Sequence, residues 1–258
     1  MKNSFILRVA AAAALLPNFV VGLVGISWDV DKVPANGLTD ITFPFSIANA
    51  PHRSGYYFAQ QFNFIGQDDV GYTGLQPRPD SRGNPVIHAV FSSFINGSTT
   101  TDSNCHEGAD YGPGVSCSLE FSRPYSHEYR LEISNTVGTT WTGTAVDATT
   151  GWRVHVGSYK LPAGTKGISK SQVGFVEYYP WNVGTHTCQS LPYTSVVFGV
   201  PTTSTVGAGL GHLGSAYEYG DCVGKVAFKT QQTLQGVEVG VGFEFKLVLQ
   251  ASKRRWLP

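Results

Sequence analysis

Charge is scarce in this chain. Only 14% of its residues are Asp, Glu, Lys or Arg, and 18 basic side chains stand against 18 acidic ones. There is no basic excess to attract a phosphate backbone, so nucleic acid is excluded as an expected partner. Helical patterning is missing as well. Beyond residue 22 no window repeats its apolar side chains at helical spacing. No apolar run is long enough to span a bilayer, which takes about 20 residues, so no membrane partner is expected. Two common catalytic signatures are absent: there is no H-E-x-x-H, and GHLGSAYEYG near Gly211 does not fit G-x-S-x-G. Cysteine is limited to four residues, and none of them stands in the C-x₂₋₄-C form of structural zinc sites. No metal and no cofactor are therefore expected.

What is present begins with a leader-like start. MKNSFILRVAAAAALLPNFVVG has a basic head (Lys2, Arg8), an apolar run broken by Pro17 and Asn18, and small residues after it. This is the pattern of a secretory signal peptide over residues 1–22, cut roughly at residue 20 to 24. The expected mature chain, from residue 23 to 258, is one exported, extracellular domain. Removing Lys2 and Arg8 leaves 16 basic against 18 acidic side chains. In an oxidising compartment the four cysteines should pair. Nearest-neighbour pairing, Cys105 with Cys117 and Cys188 with Cys222, closes the shortest loops. The other two connectivities stay open. Asn96-Gly97-Ser98 is an N-glycosylation acceptor in a turn.

Period two dominates the rest. In GVEVGVGFEFKLVLQ, from Gly236, Val237, Val239, Val241, Phe243, Phe245, Leu247 and Leu249 share one side. EYRLEIS alternates through Tyr129, Leu131 and Ile133. GYYFAQQFNF sets Tyr56, Phe58, Phe62 and Phe64 against Tyr57, Gln61 and Asn63. Further strands are expected over 86–95, 139–147, 172–179, 193–200 and 225–229, with turn clusters such as QPRPDSRGNP (76–85) between them. About ten strands, 30 glycines and no linker predict an all-β fold. The expected form is a single β-sandwich of jelly-roll or concanavalin-like type.

Three groups of residues are candidates for chemistry. GWRVHVGSY places Arg153, His155 and Tyr159 on one face of a strand, a cation, a base and an acid of the kind that polysaccharide lyases use. The stretch NCHEGADYGPGVSC offers His106 and Glu107, with Asp110 as a second carboxylate, on a loop stapled by Cys105–Cys117. Glu177 lies in FVEYYPWN among aromatics that would raise its pKa and suit it to act as an acid. For ligand binding, Tyr57, Tyr72, Tyr178 and Trp181 are candidate stacking rings, and Gln61, Asn63 and Gln76 are candidate polar contacts.

The order of motifs also resembles a known family. Tyr72-Thr73-Gly74-Leu75-Gln76 is followed by the strand VIHAVFSSF. Then come His106-Glu107-Gly108-Ala109-Asp110-Tyr111-Gly112, which is similar to a G-E-G-x-G loop, EYRLEI, TTWTG, Trp152, and GFVEYY. Over roughly residues 56–182 the series resembles domain of unknown function 3472, found in secreted bacterial and fungal proteins. The chain departs from that pattern in Cys105 and Cys117, and in Ala109 and Asp110 where more glycine is expected. The resemblance implies a secreted, sandwich-like, glycan-associated protein without an assigned reaction. It points to Gln76, Glu107, Gly108, Gly112 and Glu177.

The expected function is carbohydrate binding or cell-wall association without catalysis, with a polysaccharide or other glycan as partner. The first alternative is a polysaccharide-active enzyme, lyase or glycoside hydrolase. A further one is a secreted effector that binds a host protein. Oligomeric state is not readable from the sequence.

Overall fold

The computed structural model describes residues 22–244. The leader, the basic tail from residue 251 and the end of the 236–250 alternation lie outside the described residues. Among the described residues fifteen strands occur in chain order. They are β1 (Gly22–Val30), β2 (Asp40–Ser46), β3 (Tyr56–Asn63), β4 (Val70–Ser81), β5 (Asn84–Ser93), β6 (Cys105–Ala109), β7 (Gly112–Ser122) and β8 (Glu128–Val137). After them come β9 (Thr140–Asp147), β10 (Arg153–Lys160), β11 (Ser171–Tyr178), β12 (Thr194–Gly199), β13 (Gly211–Glu218), β14 (Lys229–Gln232) and β15 (Gly236–Val241). Two short 3₁₀ turns, Tyr179–Asn182 and Cys188–Ser190, are the only helical pieces among the described residues.

The strands make two antiparallel sheets. One has eight strands in the order β13-β1-β11-β3-β4-β5-β7-β6, and the other seven in the order β10-β9-β8-β2-β12-β15-β14. Alternation explains the layering. In β3, Tyr56, Phe58 and Phe62 point between the sheets, as do Tyr129, Leu131 and Ile133 of β8 and Val237, Val239 and Val241 of β15, all buried. Rings fill the space between them. Trp28 meets Phe43 edge-on with centroids 5.2 Å apart, Phe64 meets Trp141 at 4.8 Å, and Phe91 stacks on Tyr159 at 4.4 Å.

The two disulfides join Cys105 to Cys117 and Cys188 to Cys222. The first links residues directly opposite each other on β6 and β7, with Cα atoms 3.9 Å apart.

Three local expectations differ from the structure. The QPRPDSRGNP cluster is mostly strand: β4 runs to Ser81 and turns on Arg82 and Gly83 alone, both with positive φ. Pro77 and Pro79 are tolerated because β3 pairs with β4 only as far as Leu75, which leaves that edge without a ladder partner. Residues 225–228 are not strand, and β14 starts at Lys229. The third difference is in β10, where the register slips between His155 and Gly157. The bulge reverses the facing of every residue beyond it on the strand. Tyr159 is thereby turned into the core, 1% exposed, while Arg153 and His155 stay on the outside.

Gly157, at that bulge, is where the first disulfide packs. A Cβ there would lie 2.4 Å from Cys117 Cβ and 2.6 Å from Cys105 Sγ. Gly157→Ala is expected to cost about 1–3 kcal/mol by overpacking. Thermal unfolding of the oxidised protein checks this, and an unchanged midpoint would show that the disulfide yields freely.

Candidate active site

A second apolar cluster forms on the opposite face of the eight-stranded sheet, away from the core. Tyr57 and Ala59 of β3 and Phe175 of β11 are buried there, with Tyr72, Val90 and Tyr179 packed around them. The alternation that sends Tyr56, Phe58 and Val176 inward sends these residues outward. Phe175 meets Tyr57 at 5.6 Å and Tyr72 at 5.4 Å, both edge-on. They floor a cavity of about 710 Å³. The turn between β6 and β7 (Asp110, Tyr111) lines part of it, and the 3₁₀ turn with Asn182 and Val183 lines another part. Asp110 and Tyr111 have φ of 45° and 66°, a left-handed conformation that is uncommon for residues other than glycine. Tyr111 is fully exposed, as Val183 nearly is.

Glu177 sits in this floor at 7% exposure. β11 and β3 place it directly opposite Tyr57. Its Oε1 accepts a hydrogen bond from Asn182 Nδ2 at 2.6 Å. Burial raises its pKa above the ordinary glutamate value; the Asn182 bond works against that rise, and the negative charge of Asp110 adds to it. Asp110, though at an exposed turn, is itself raised by its packed surroundings. Burial pushes Tyr72 up to about 12 and Tyr57 well above the usual phenol range, so both remain neutral hydroxyls.

The other side of the cavity carries a polar network centred on Arg78. Arg78 donates to Gln76 Oε1 at 2.7 Å, to Glu120 Oε1 at 3.0 Å and to the Tyr179 hydroxyl at 3.3 Å. His88 Nδ1 lies 3.5 Å from Glu120. Burial first, and the Arg78 charge second, lower the His88 pKa, which favours a neutral imidazole. The site therefore joins one buried carboxyl that resists ionisation to several neutral donors and acceptors, above an apolar floor. That set can take up and release a proton beside a bound molecule.

The structure brings together Glu177, Gln76, Tyr57 and Tyr72. It separates the other candidates from them. His106 and Glu107 are exposed on the edge strand β6, and the residues of that stretch that line the cavity are Asp110 and Tyr111. A register shift at Glu107/Gly108, where both face Val115, is what moves the turn to Asp110. Arg153 is ion-paired with Glu132, and His155 with Asp102, at the edge of the other sheet. Tyr159, stacked on Phe91, cannot join them. Trp181 and Tyr178 are no open platform: Trp181 is 8% exposed under the ring of His186, and Tyr178 packs on Tyr56 and Trp181. Gln61 and Asn63 share the outward face of β3 but do not line the cavity; Asn63 Oδ1 accepts from Gln172 instead. Arg78, His88 and Asn182 were not recognised in the sequence. For Arg78 and His88 the signal was available, since Arg78 alternates in step with Tyr72 and Gln76 on β4 and His88 pairs with Gln76 across the β4–β5 hairpin.

The buried carboxyl and the buried ring each have a measurable consequence. A carboxyl whose pKa is raised on folding destabilises the fold as it ionises, so that penalty is absent below the unfolded glutamate pKa and grows as pH rises through the folded one. Glu177→Gln should therefore raise the unfolding midpoint near neutral pH and lose that advantage in acid, as a pH series of melts will show. Trp181→Ala should cost about 3–5 kcal/mol of stability, as for a buried core ring, measured by denaturant titration.

No family model matches the chain, and no curated protein matches it. Matches among solved structures include the scytalido-glutamic peptidase bound to a peptide-based transition-state analogue. It has a TM-score of 0.47 and 10% identity, covering 86% of this chain and 98% of that one. SCP-B, of the eqolisin family of peptidases, in complex with the tripeptide Ala-Ile-His, gives 0.44 and 10%, with 86% and 98% covered. The CBM2 module of the evolved Dit of Lactobacillus casei BL23 phage J-1 gives 0.27 and 14%, with 59% and 68% covered. With identities this low and TM-scores below 0.5, nothing about the chemistry of this chain rests on them.

Proposed function

We propose that the chain is an exported hydrolase that cleaves an extended polymer lying in the cavity of the eight-stranded sheet, with Glu177 as its acid–base group. The observation that carries this reading is the buried Glu177 carboxyl, held toward its protonated form at the floor of an open cavity. A group with its pKa lifted toward the working pH takes a proton from water and returns it to a leaving group. Export is supported by the two disulfides and the leader-like start. No helix among the described residues is long and apolar enough to cross a membrane. Glycosylation at Asn96 belongs to the same proposal, as that side chain is exposed at a turn. So does the resemblance to domain of unknown function 3472, which adds the expectation of a glycan partner.

A non-catalytic carbohydrate-binding role is the second reading. Tyr57, Tyr72 and Phe175 in the cavity favour it, because rings there can face a sugar. Their planes stand at 84° and 73° to one another and so form no single flat platform, and hydrolysis is preferred.

The test is an activity screen of the oxidised protein from pH 3 to 7 on neutral and acidic polysaccharides and on denatured casein. Reducing ends, unsaturated products and new amino termini are read from the same samples. Product release is expected, reduced at least about 100-fold in Glu177→Gln. Arg153→Ala and His155→Ala should leave the rate within about twofold, since both lie outside the cavity. Retention of a glycan without any product would establish the binding role instead. Unsaturated product that survives Glu177→Gln would restore a lyase.

A further inference from the structure

Tyr57 carries a hydroxyl with no acceptor. The oxygen is buried and has no hydrogen-bond partner, in a residue 7% exposed, yet the side chain lines the cavity. Native proteins rarely leave a buried hydroxyl unpaired. Three other polar groups of the cavity have partners elsewhere: Gln76 accepts from Arg78, the Tyr179 hydroxyl accepts from Gly55 N at 2.9 Å, and Glu177 accepts from Asn182, while His88 Nδ1, like the Tyr57 hydroxyl, has no hydrogen-bond partner. Across the ladder Tyr57 faces Glu177. Side chains directly opposite on antiparallel strands leave the sheet on the same side, about 4.5–5.5 Å apart at Cβ. The ring is fixed edge-on against Phe175, so the position of the hydroxyl does not depend on a hydrogen bond of its own.

We propose that Tyr57 is a catalytic residue of the Glu177 site, its hydroxyl donating to the oxygen that gains negative charge when water adds to the bond under cleavage. The proposal rests on the hydrolase reading above. Glu177, as carboxylate, takes a proton from water while the water oxygen bonds to the attacked carbon. The carbon–oxygen π pair moves onto the oxygen held by Tyr57. When that pair returns, the bond to the leaving group breaks, and the leaving group takes the proton from Glu177. One water is consumed and no other reactant is needed. The step requires a carbonyl, so the linkage is an amide or an ester. Burial keeps Tyr57 protonated throughout the working range, as a donor must be.

The experiment compares the full oxidised chain with Tyr57→Phe and Glu177→Gln, using denatured casein for amides and p-nitrophenyl butyrate for esters. Tyr57→Phe keeps the ring and removes the hydroxyl. It should lower kcat about 100-fold or more, as for loss of one oxyanion donor, with KM within about threefold. The acid limb of the pH profile, set by Glu177, should stay in place. The melting midpoint should be equal or higher, because an unpaired buried hydroxyl is removed. A kcat within about threefold of the parent overturns the Tyr57 role while Glu177 stands, provided Glu177→Gln is inactive. Cleavage of glycans but of neither acyl probe also overturns it and leaves the hydrolase reading intact. No turnover on any polymer overturns both. A kcat loss accompanied by a lower melting midpoint would make the hydroxyl structural.

Discussion

The pairing of β3 with β11 decides which side of the sheet every residue of the site occupies. Gly174 lies across from Gln60, Phe175 from Ala59, Val176 from Phe58 and Glu177 from Tyr57. Because side chains alternate, Phe58 and Val176 enter the core together while Tyr57, Ala59, Phe175 and Glu177 leave by the other face. A slip of one residue would drive Glu177 between the sheets and bring Val176 out. The core prevents that slip. Phe58 and Phe62 are wholly buried against the second sheet, and each such ring contributes about 1.5–3 kcal/mol by leaving water. The position of the carboxyl is thus held by packing on the far side of its own strand.

Electrostatics builds on that placement. A carboxyl with ring neighbours and little water loses hydration and resists ionisation, and the bond from Asn182 offsets only part of the loss. Asp110 adds a second negative group, delivered by a turn whose two residues adopt left-handed backbone. β6 is the outermost strand of its sheet, with β7 as its neighbour. The Cys105–Cys117 bond fastens it there, at the end of the hairpin opposite the turn that carries Asp110, and Cys117 itself lines the cavity. An edge strand of five residues has few ladder bonds of its own. The disulfide that suits the chain to an oxidising compartment also steadies one wall of the cavity.

Strand alternation made the layers legible in EYRLEIS, GVEVGV and YYFAQQFNF, because a half-buried strand leaves a period of two in its composition. The site was legible where a chemical group stood out from its neighbours, as Glu177 does among aromatics and Gln76 does in its strand. It was not legible where pairing between distant strands decides. Nothing local says that Tyr57 meets Glu177, or that Arg78 on β4 reaches Glu120 on β7. Bulges were the other source of error. Counting by twos from Arg153 reaches Tyr159, and one inserted residue at 156–157 breaks the count. At the same kind of shift, at Glu107/Gly108, the strand count also breaks, and Asp110 rather than Glu107 lines the cavity. Short 3₁₀ turns misled in a further way, since Trp181 in YYPWN reads as an exposed ring but the turn folds it back under His186.

The outer charges of the other sheet show why polarity alone is a poor guide to chemistry. Arg153 and Glu132 form a forked pair, and His155 pairs with Asp102, with the cationic side of each pair about half open to solvent. Each group has its partner, and water screens the residual charge, so such pairs contribute about 0–1 kcal/mol and leave no group poised to react. Glu177 is in the opposite condition. It is buried, its carboxyl is held toward the neutral form, and the hydroxyl across from it is unpaired. A fold tolerates that arrangement at a cost in stability, and sites that carry such a cost are where function is to be sought. The contrast between satisfied charges outside and unsatisfied groups within the cavity, more than the identity of any residue, separates the two faces as candidates for catalysis.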